Sequence, residues 1–429
     1  MTKARQVALE ALLYMETQKG YSNLVIDEFL AKNQLSSQDK ALAAGLFYGV
    51  LERKFTLDSV IKKLSRQSKS PLKLFVRIVL RMGLYQIFFM DKIPPSAAVN
   101  EAVEAVKTSK YSFASGFVNG LLRSAIRQKD ELLPQTTTPD QFRTFYSVEN
   151  WIADSFISDY GQDTAQEILQ DALRPSPTFI RVNTLKTTAE QLKKDFAVLG
   201  VQCEDTLLPN ALRVKGLSGI AEHPFYKQGL FHVQDLSSQL CAAALEVHPQ
   251  DRVLDICAAP GGKSFVLAQQ MQNNGSVLSL DLHLHRAELI AKGAKRLHIT
   301  NIQTGVSDAT VYNSNLGLFS KILCDVPCSG LGVIRHKPEI KYQTKAQADA
   351  LPPIQKNILQ VASRYLQVGG RLVYSTCTLR KAENSAVVQA FIAKNPNFQI
   401  VKEQTIFPSQ YGSDGFYICV LKKEGATCL

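Results

Sequence analysis

The chain has 429 residues, 45% of them hydrophobic, which is too long for one ordinary domain and apolar enough for two or three cores. A net charge of +11, with about 21 Lys/Arg against about 13 Asp/Glu in residues 1–145, favours a polyanionic partner. No Cys-x-x-Cys pair occurs, Glu10 interrupts any signal core, and the most hydrophobic run, Ile78 to Met90, is broken by Arg81, so a reduced cytoplasmic protein with no membrane partner is expected.

From Ala4 to about Lys129 the apolar residues recur at helical spacing, most clearly over Leu24 to Leu30 and Val76 to Met90. Pro94 and Pro95 separate two helices, and Ser96 can cap the second. This spacing predicts an all-helical domain over residues 1–135. Arg53, Lys62, Lys63, Arg66, Lys69, Lys73 and Arg77 lie near one another in sequence as a basic surface, either a solvated charged face or a seat for phosphates. Residues 129–140 read as a polar, Pro-bounded linker. Trp151 then opens a short helical stretch. A strand over Thr178 to Asn183, a helix over Ala189 to Leu199 and strands near Val201 and Leu212 follow, making 141–235 a helical linker plus a small α+β module.

Beyond Phe231 strand and helix patterns alternate. Strands are expected near 253–257, 276–281, 302–306, 321–326, 371–376 and 416–422, with helices between the first five, which predicts a doubly wound α/β domain over 236–429. Its first strand runs into Cys257-Ala258-Ala259-Pro260-Gly261-Gly262-Lys263, a turn into a helix that is neither G-x-G-x-x-G nor a Walker loop. The paired glycines suit a backbone pressed against a ligand, or merely a tight turn. Asp281 closes the second strand, where an acid can accept from a ribose diol or cap a helix. Asp308 follows the third strand as a turn residue or an adenine contact. Asp325 with Cys328, and Cys377, follow the fourth and fifth strands, so the topology brings them to one cleft. Each cysteine alone could equally be structural. His283 and His285 read as a surface pair, and no metal site is expected.

The loop and the strand-end acid together resemble the S-adenosyl-L-methionine (SAM) site of class I methyltransferases, which have a Rossmann-like α/β fold. The wording Cys257 to Lys263, with Pro327-Cys328 and Thr376-Cys377, resembles RNA cytosine-C5 methyltransferases. In the helical part, Ala41 to Leu51, Gly83-Leu-Tyr-Gln86, Ala97 to Val103 and Phe117 to Arg123 resemble the NusB-like RNA-binding domain. Arg181-Val-Asn183 and Asp414-Gly-Phe-Tyr417 extend the match, while Glu149-Asn150 and Val326 depart from the usual pattern. The two-part layout resembles that of the bacterial 16S ribosomal RNA cytosine-C5 methyltransferase B family, whose name carries cytosine 967 as target.

The resemblance implies that Cys377 is the nucleophile, that Cys328 releases the product, and that a protonated Asp325 contacts cytosine N3. It assigns the cofactor to Cys257 to Lys263, Asp281, Asp308 and Asp325. The implied partner is 16S ribosomal RNA, naked or in early small-subunit assembly, bound by a monomer, with Arg335-His-Lys-Pro-Glu339 as a basic loop for phosphates. Another ribosomal or transfer RNA cytosine is the alternative target. A non-catalytic RNA-binding or antitermination factor is the alternative function.

Overall fold

Among the described residues, the apolar spacing of 1–127 folds as seven α-helices: Lys3–Gln18, Ser22–Lys32, Ser37–Glu52, Lys54–Leu64, Leu74–Phe89, Pro95–Lys107 and Ser115–Arg127. The computed structural model describes residues 1–18, 20–65, 71–134 and 141–425. Arg66 and Lys69 of the basic cluster, and residues 135–140 of the expected linker, lie outside these residues. Leu46, Phe47, Leu57, Leu80, Leu84 and Leu122 are fully buried among the helices. Arg81, which breaks the hydrophobic run, is buried with its guanidinium donating to Asp58 at 2.8 and 2.7 Å and to Glu16 at 2.8 Å. A buried arginine is tolerated because its charge is met by anionic acceptors. No helix among the described residues is long and apolar enough to cross a membrane.

Two compact units emerge, Met1–Arg174 with Ile334–Thr344, and Pro175–Val333 with Lys345–Leu429. The first boundary falls at Arg174, later than the linker read from the sequence, because helices Asn150–Tyr160 and Gln162–Asp171 pack with the helical part. The segment 334–344 is spliced into this unit from far along the chain. Lys341 is buried and donates to the carbonyls of Glu52 at 3.1 Å and Tyr146 at 3.3 Å. The Tyr342 hydroxyl donates to Leu51 O at 2.5 Å. Together they satisfy carbonyls that helix Ser37–Glu52 leaves open at its C-terminus. Burial pushes the Lys341 ammonium down to about 7.

The second unit holds two sheets. Strands β1 (Thr178–Val182), β2 (Gln202–Asp205), β3 (Ala211–Lys215) and β4 (Phe231–Val233) form an antiparallel sheet in the order β2-β3-β1-β4. The larger sheet contains β5 (Arg252–Asp255), β6 (Ser276–Asp281), β7 (Ile302–Val306), β8 (Phe319–Asp325), β9 (Leu366–Thr376), β10 (Phe398–Ile406) and β11 (Phe416–Lys423). Their order is β10-β11-β9-β8-β5-β6-β7. The five strands β5 to β9 are parallel, whereas β11 and β10 join antiparallel, so the sheet is mixed rather than wholly parallel. Between β7 and β8 there is a single 3-10 turn, Ser314–Leu316, where a helix was expected. The order reverses at β5, which pairs with both β6 and β8, and this opens a crevice beyond the carboxyl ends of those strands.

Candidate active site

Strand β5 ends at Asp255, and the chain turns through Ile256 to Gly261 into helix Gly262–Gln270. Gly261 has φ +104°, and a Cβ there would lie 2.5 Å from the Phe265 ring. Its glycine is therefore demanded by backbone conformation and by packing, before any ligand is considered. Gly262 faces Gln234, whose amide Nε2 is buried without a partner. Beneath the turn, Ser264 Oγ donates to Asp255 Oδ2 at 2.6 Å, and burial raises the Asp255 carboxyl to about 7.

Asp281, at the tip of β6, is almost wholly buried. It accepts from Ala259 N at 3.2 Å and His283 N at 3.4 Å, and Arg286 Nη1 lies 3.4 Å away. The carboxylate thus ties the glycine loop to the next strand. Asp308 accepts from Thr310 N at 2.8 Å and from its hydroxyl at 2.6 Å; the Thr310 hydroxyl and amide hold its carboxyl below the usual range. Its side chain closes a turn after β7. His283 and His285 stack at 5.6 Å where helix Leu284–Leu297 begins.

Asp325 closes β8. Lys263 Nζ donates to its Oδ2 at 2.7 Å, and Ser375 Oγ donates to Oδ1 at 2.8 Å. Burial opposes charge on Lys263, yet the Asp325 carboxylate outweighs it and raises the ammonium above its ordinary value. Both oxygens of Asp325 are therefore engaged by donors.

The two cysteines meet. Cys328 Sγ lies 3.2 Å from Cys377 Sγ, and both residues are half-buried. The hydrogen bond to Cys377, with burial, pushes the Cys328 thiol well above the usual cysteine range. Backbone bonds lock the loops together: Val326 N donates to Ser375 O at 3.1 Å and Gly332 N to Cys377 O at 2.9 Å. A Cβ on Gly332 would lie 1.9 Å from Gly415 O, so only glycine permits that approach.

Sequence reasoning passed over several groups that hold this arrangement. Ser375, Gln355, Glu383 and Asn384 are buried around it. Glu383 and Asn384 precede helix Ser385–Ile392, where polar residues ordinarily read as a helix start. The Arg335 loop is also placed differently from its reading. Arg335 is buried against Asp171 at 3.6 Å in the helical unit, so it is not an open phosphate contact.

Three family models match the chain: the NusB family over residues 2–127, an RsmF/B-like ferredoxin-like domain over 149–220, and the 16S rRNA methyltransferase RsmB/F over 242–422. A probable ribosomal RNA small subunit methyltransferase B of Bacillus subtilis is 38% identical over 99% of both chains. The ribosomal RNA small subunit methyltransferase B of Vibrio cholerae is 32% identical over 92% of both. Among solved structures, that of PH0851 superposes with a TM-score of 0.83 at 23% identity over 99% of both chains, which shows the shared fold. A methyltransferase homologue from Pyrococcus horikoshii gives 0.60 at 25% identity, covering 67% of this chain and all of that one. With a NusB domain, a ferredoxin-like module and a methyltransferase domain in one order and at full length, the chain belongs to the RsmB/F family of ribosomal RNA small subunit methyltransferases.

Proposed function

We propose that this enzyme methylates carbon 5 of a cytosine in 16S ribosomal RNA through a covalent bond from Cys377 to carbon 6. Its cofactor is S-adenosylmethionine, as for the family. The residues fit that cofactor: a glycine turn with an orphaned buried amide at Gln234, and a buried acid at the next strand tip. In this reading Cys257 to Lys263 and Asp281 hold it, with Asp308 and Asp325 at the margin. When bound, it supplies an electrophilic methyl group.

Carbon 5 of cytosine is too electron-poor to accept that group unaided. The Cys377 thiolate adds to carbon 6 and makes carbon 5 nucleophilic. In its protonated form Asp325, steadied by Lys263 and Ser375, shares its proton with ring N3, where the displaced electron density collects. Once Cys377 is bound to carbon 6 and no longer holds the Cys328 proton in place, Cys328 gives that proton to water and, as a thiolate, takes the carbon-5 proton; the sulfur–carbon 6 bond then breaks and its electron pair returns to Cys377. The target base has to leave its stack to reach the sulfur.

The observation that carries this reading is the 3.2 Å approach of two sulfurs beyond the tips of neighbouring parallel strands. Cys377→Ala should abolish methylation, read by bisulfite sequencing of the RNA, while SAM still binds. Cys328→Ala should accumulate a protein–RNA adduct that survives a denaturing gel, and the double variant should lose it. An adduct that persists without Cys377 would reverse the assignment of the two cysteines.

A further inference from the structure

Behind the cysteine pair lies a buried carboxylate that no step above uses. Glu383 is fully buried. Its Oε2 accepts from Ser329 N at 2.8 Å and from Gln355 Nε2 at 3.0 Å. Its Oε1 accepts from Ser329 Oγ at 2.6 Å, and Arg380 Nη1 lies 3.9 Å away. Ser329 follows Cys328 directly, so both hydrogen-bonding groups of the next residue are clamped by one carboxylate. Gln355 extends the clamp, since its Nε2 also donates to Pro327 O at 3.0 Å, on the other side of Cys328.

The backbone of the same residue is fixed to the strand that leads into Cys377. Tyr374 OH donates to the Glu383 carbonyl at 2.7 Å. Ser329 Oγ is 2.9 Å from Oγ1 of Thr378, the residue after Cys377. The next residue, Asn384, donates to Thr378 O at 2.9 Å and accepts from Thr376 Oγ1 at 2.5 Å, bracketing Cys377. Glu383 and Gln355 therefore hold both flanks of Cys328, and Asn384 holds both flanks of Cys377. Buried carboxylates are costly unless every lone pair is used, and here the donors belong to the loops that carry the sulfurs.

We infer that Glu383 is a positioning residue, holding the Pro327–Gly330 loop so that Cys328 Sγ stays against Cys377 Sγ. Without it, Ser329 and Gln355 would each lose part of their hydrogen bonding, and the loop would relax through a wider range of sulfur separations. Glu383 touches neither base nor cofactor; it acts through Ser329. The geometric part stands by itself, while its consequence for product release rests on the role of Cys328 proposed above.

Two readouts separate these. In the full-length protein, the oxidant diamide accepts the two thiol hydrogens of a close pair and leaves a disulfide, which peptide mass spectrometry quantifies. The Cys328–Cys377 disulfide should form at least about tenfold more slowly in Glu383→Gln than in the unaltered enzyme. In the second readout, Glu383→Gln should accumulate the denaturant-stable RNA adduct expected of Cys328→Ala, with SAM affinity unchanged and no band when Cys377 is also replaced. Equal disulfide rates in a folded Glu383→Gln would overturn the inference. If instead disulfide formation slows but neither Glu383→Gln nor Cys328→Ala traps RNA, the release role of Cys328 fails and the positioning role stands. Should Glu383→Gln not fold, Ser329→Ala, which removes one bond of the clamp, gives the same two readouts with a smaller expected slowing, about threefold, and a rate unchanged there would equally overturn the inference.

Discussion

Replacement of Asp281 tests the cofactor site most directly. In the structure its carboxylate already accepts from Ala259 N and His283 N at 3.2 and 3.4 Å, with Arg286 at 3.4 Å. Were a ribose diol to bind there, it would meet an anion that the protein holds in place by three partners. Hydrogen bonds to a charged group are worth roughly 1.5–3 kcal/mol each, so loss of even one weakens binding by at least about tenfold. Asp281→Ala also leaves the Ala259 N–H without its acceptor, which costs roughly 1–3 kcal/mol of stability where water cannot reach it. Asp281→Asn keeps one oxygen for that amide and loses the charge, so its fold should survive better and its affinity fall by less. Titration calorimetry with SAM, beside thermal unfolding of each variant, separates the two effects. A folded Asp281→Ala enzyme that binds SAM within twofold of the unaltered protein would refute the reasoning and remove Asp281 from the site.

Reversing Lys62 and Lys63, with Arg66 and Lys69, to Glu in the full-length enzyme should weaken RNA binding and flatten the slope of log K against log salt by about 0.7–0.9 for each phosphate no longer neutralised; an unchanged slope would make this face merely solvated. Lys341 predicts a pH effect of definite sign. Its folded value is about 7 against an ordinary 10.5, so between those pH values the unfolded chain holds a proton that the folded chain has released. Stability therefore rises with pH across that window, by up to about 1.4 kcal/mol per unit. Denaturant unfolding should show the unaltered protein gaining on Lys341→Met from pH 7 to 10; a constant difference would mean that Lys341 is not desolvated.

Periodicity carried most of the fold. Apolar repeats marked the helices of the first unit, and continuous apolar runs marked β5, β6, β8 and β9, because strands buried on both faces have no polar side to confuse the pattern. β10 escaped for the opposite reason: it is an edge strand whose Lys402 and Glu403 are exposed, and its charged surface reads as loop. β4, at three residues, is too short to show a period. Within the site, the residue types that bear chemistry stood out at the strand tips, whereas their supports did not. Ser329, Gln355 and Glu383 are spread over some fifty residues, and only the folded chain brings them to one point. Arg335 reads as an open phosphate contact because a basic loop beside Cys328 looks exposed until its buried partner Asp171 is known.

The splice of residues 334–344 into the helical unit bears on how the protein is made. A ribosome releases residues 1–174 long before Lys341 and Tyr342 exist, so during synthesis the end of helix Ser37–Glu52 has open carbonyls and an empty seat for an aromatic ring. That unit reaches its final packing only once synthesis has passed residue 344, well over a hundred residues beyond its main part. A gene fragment stopping at residue 174 therefore encodes an incomplete object, and a synthetic peptide spanning 334–344 should complement it in trans, protecting the Leu51 and Glu52 region from proteolysis.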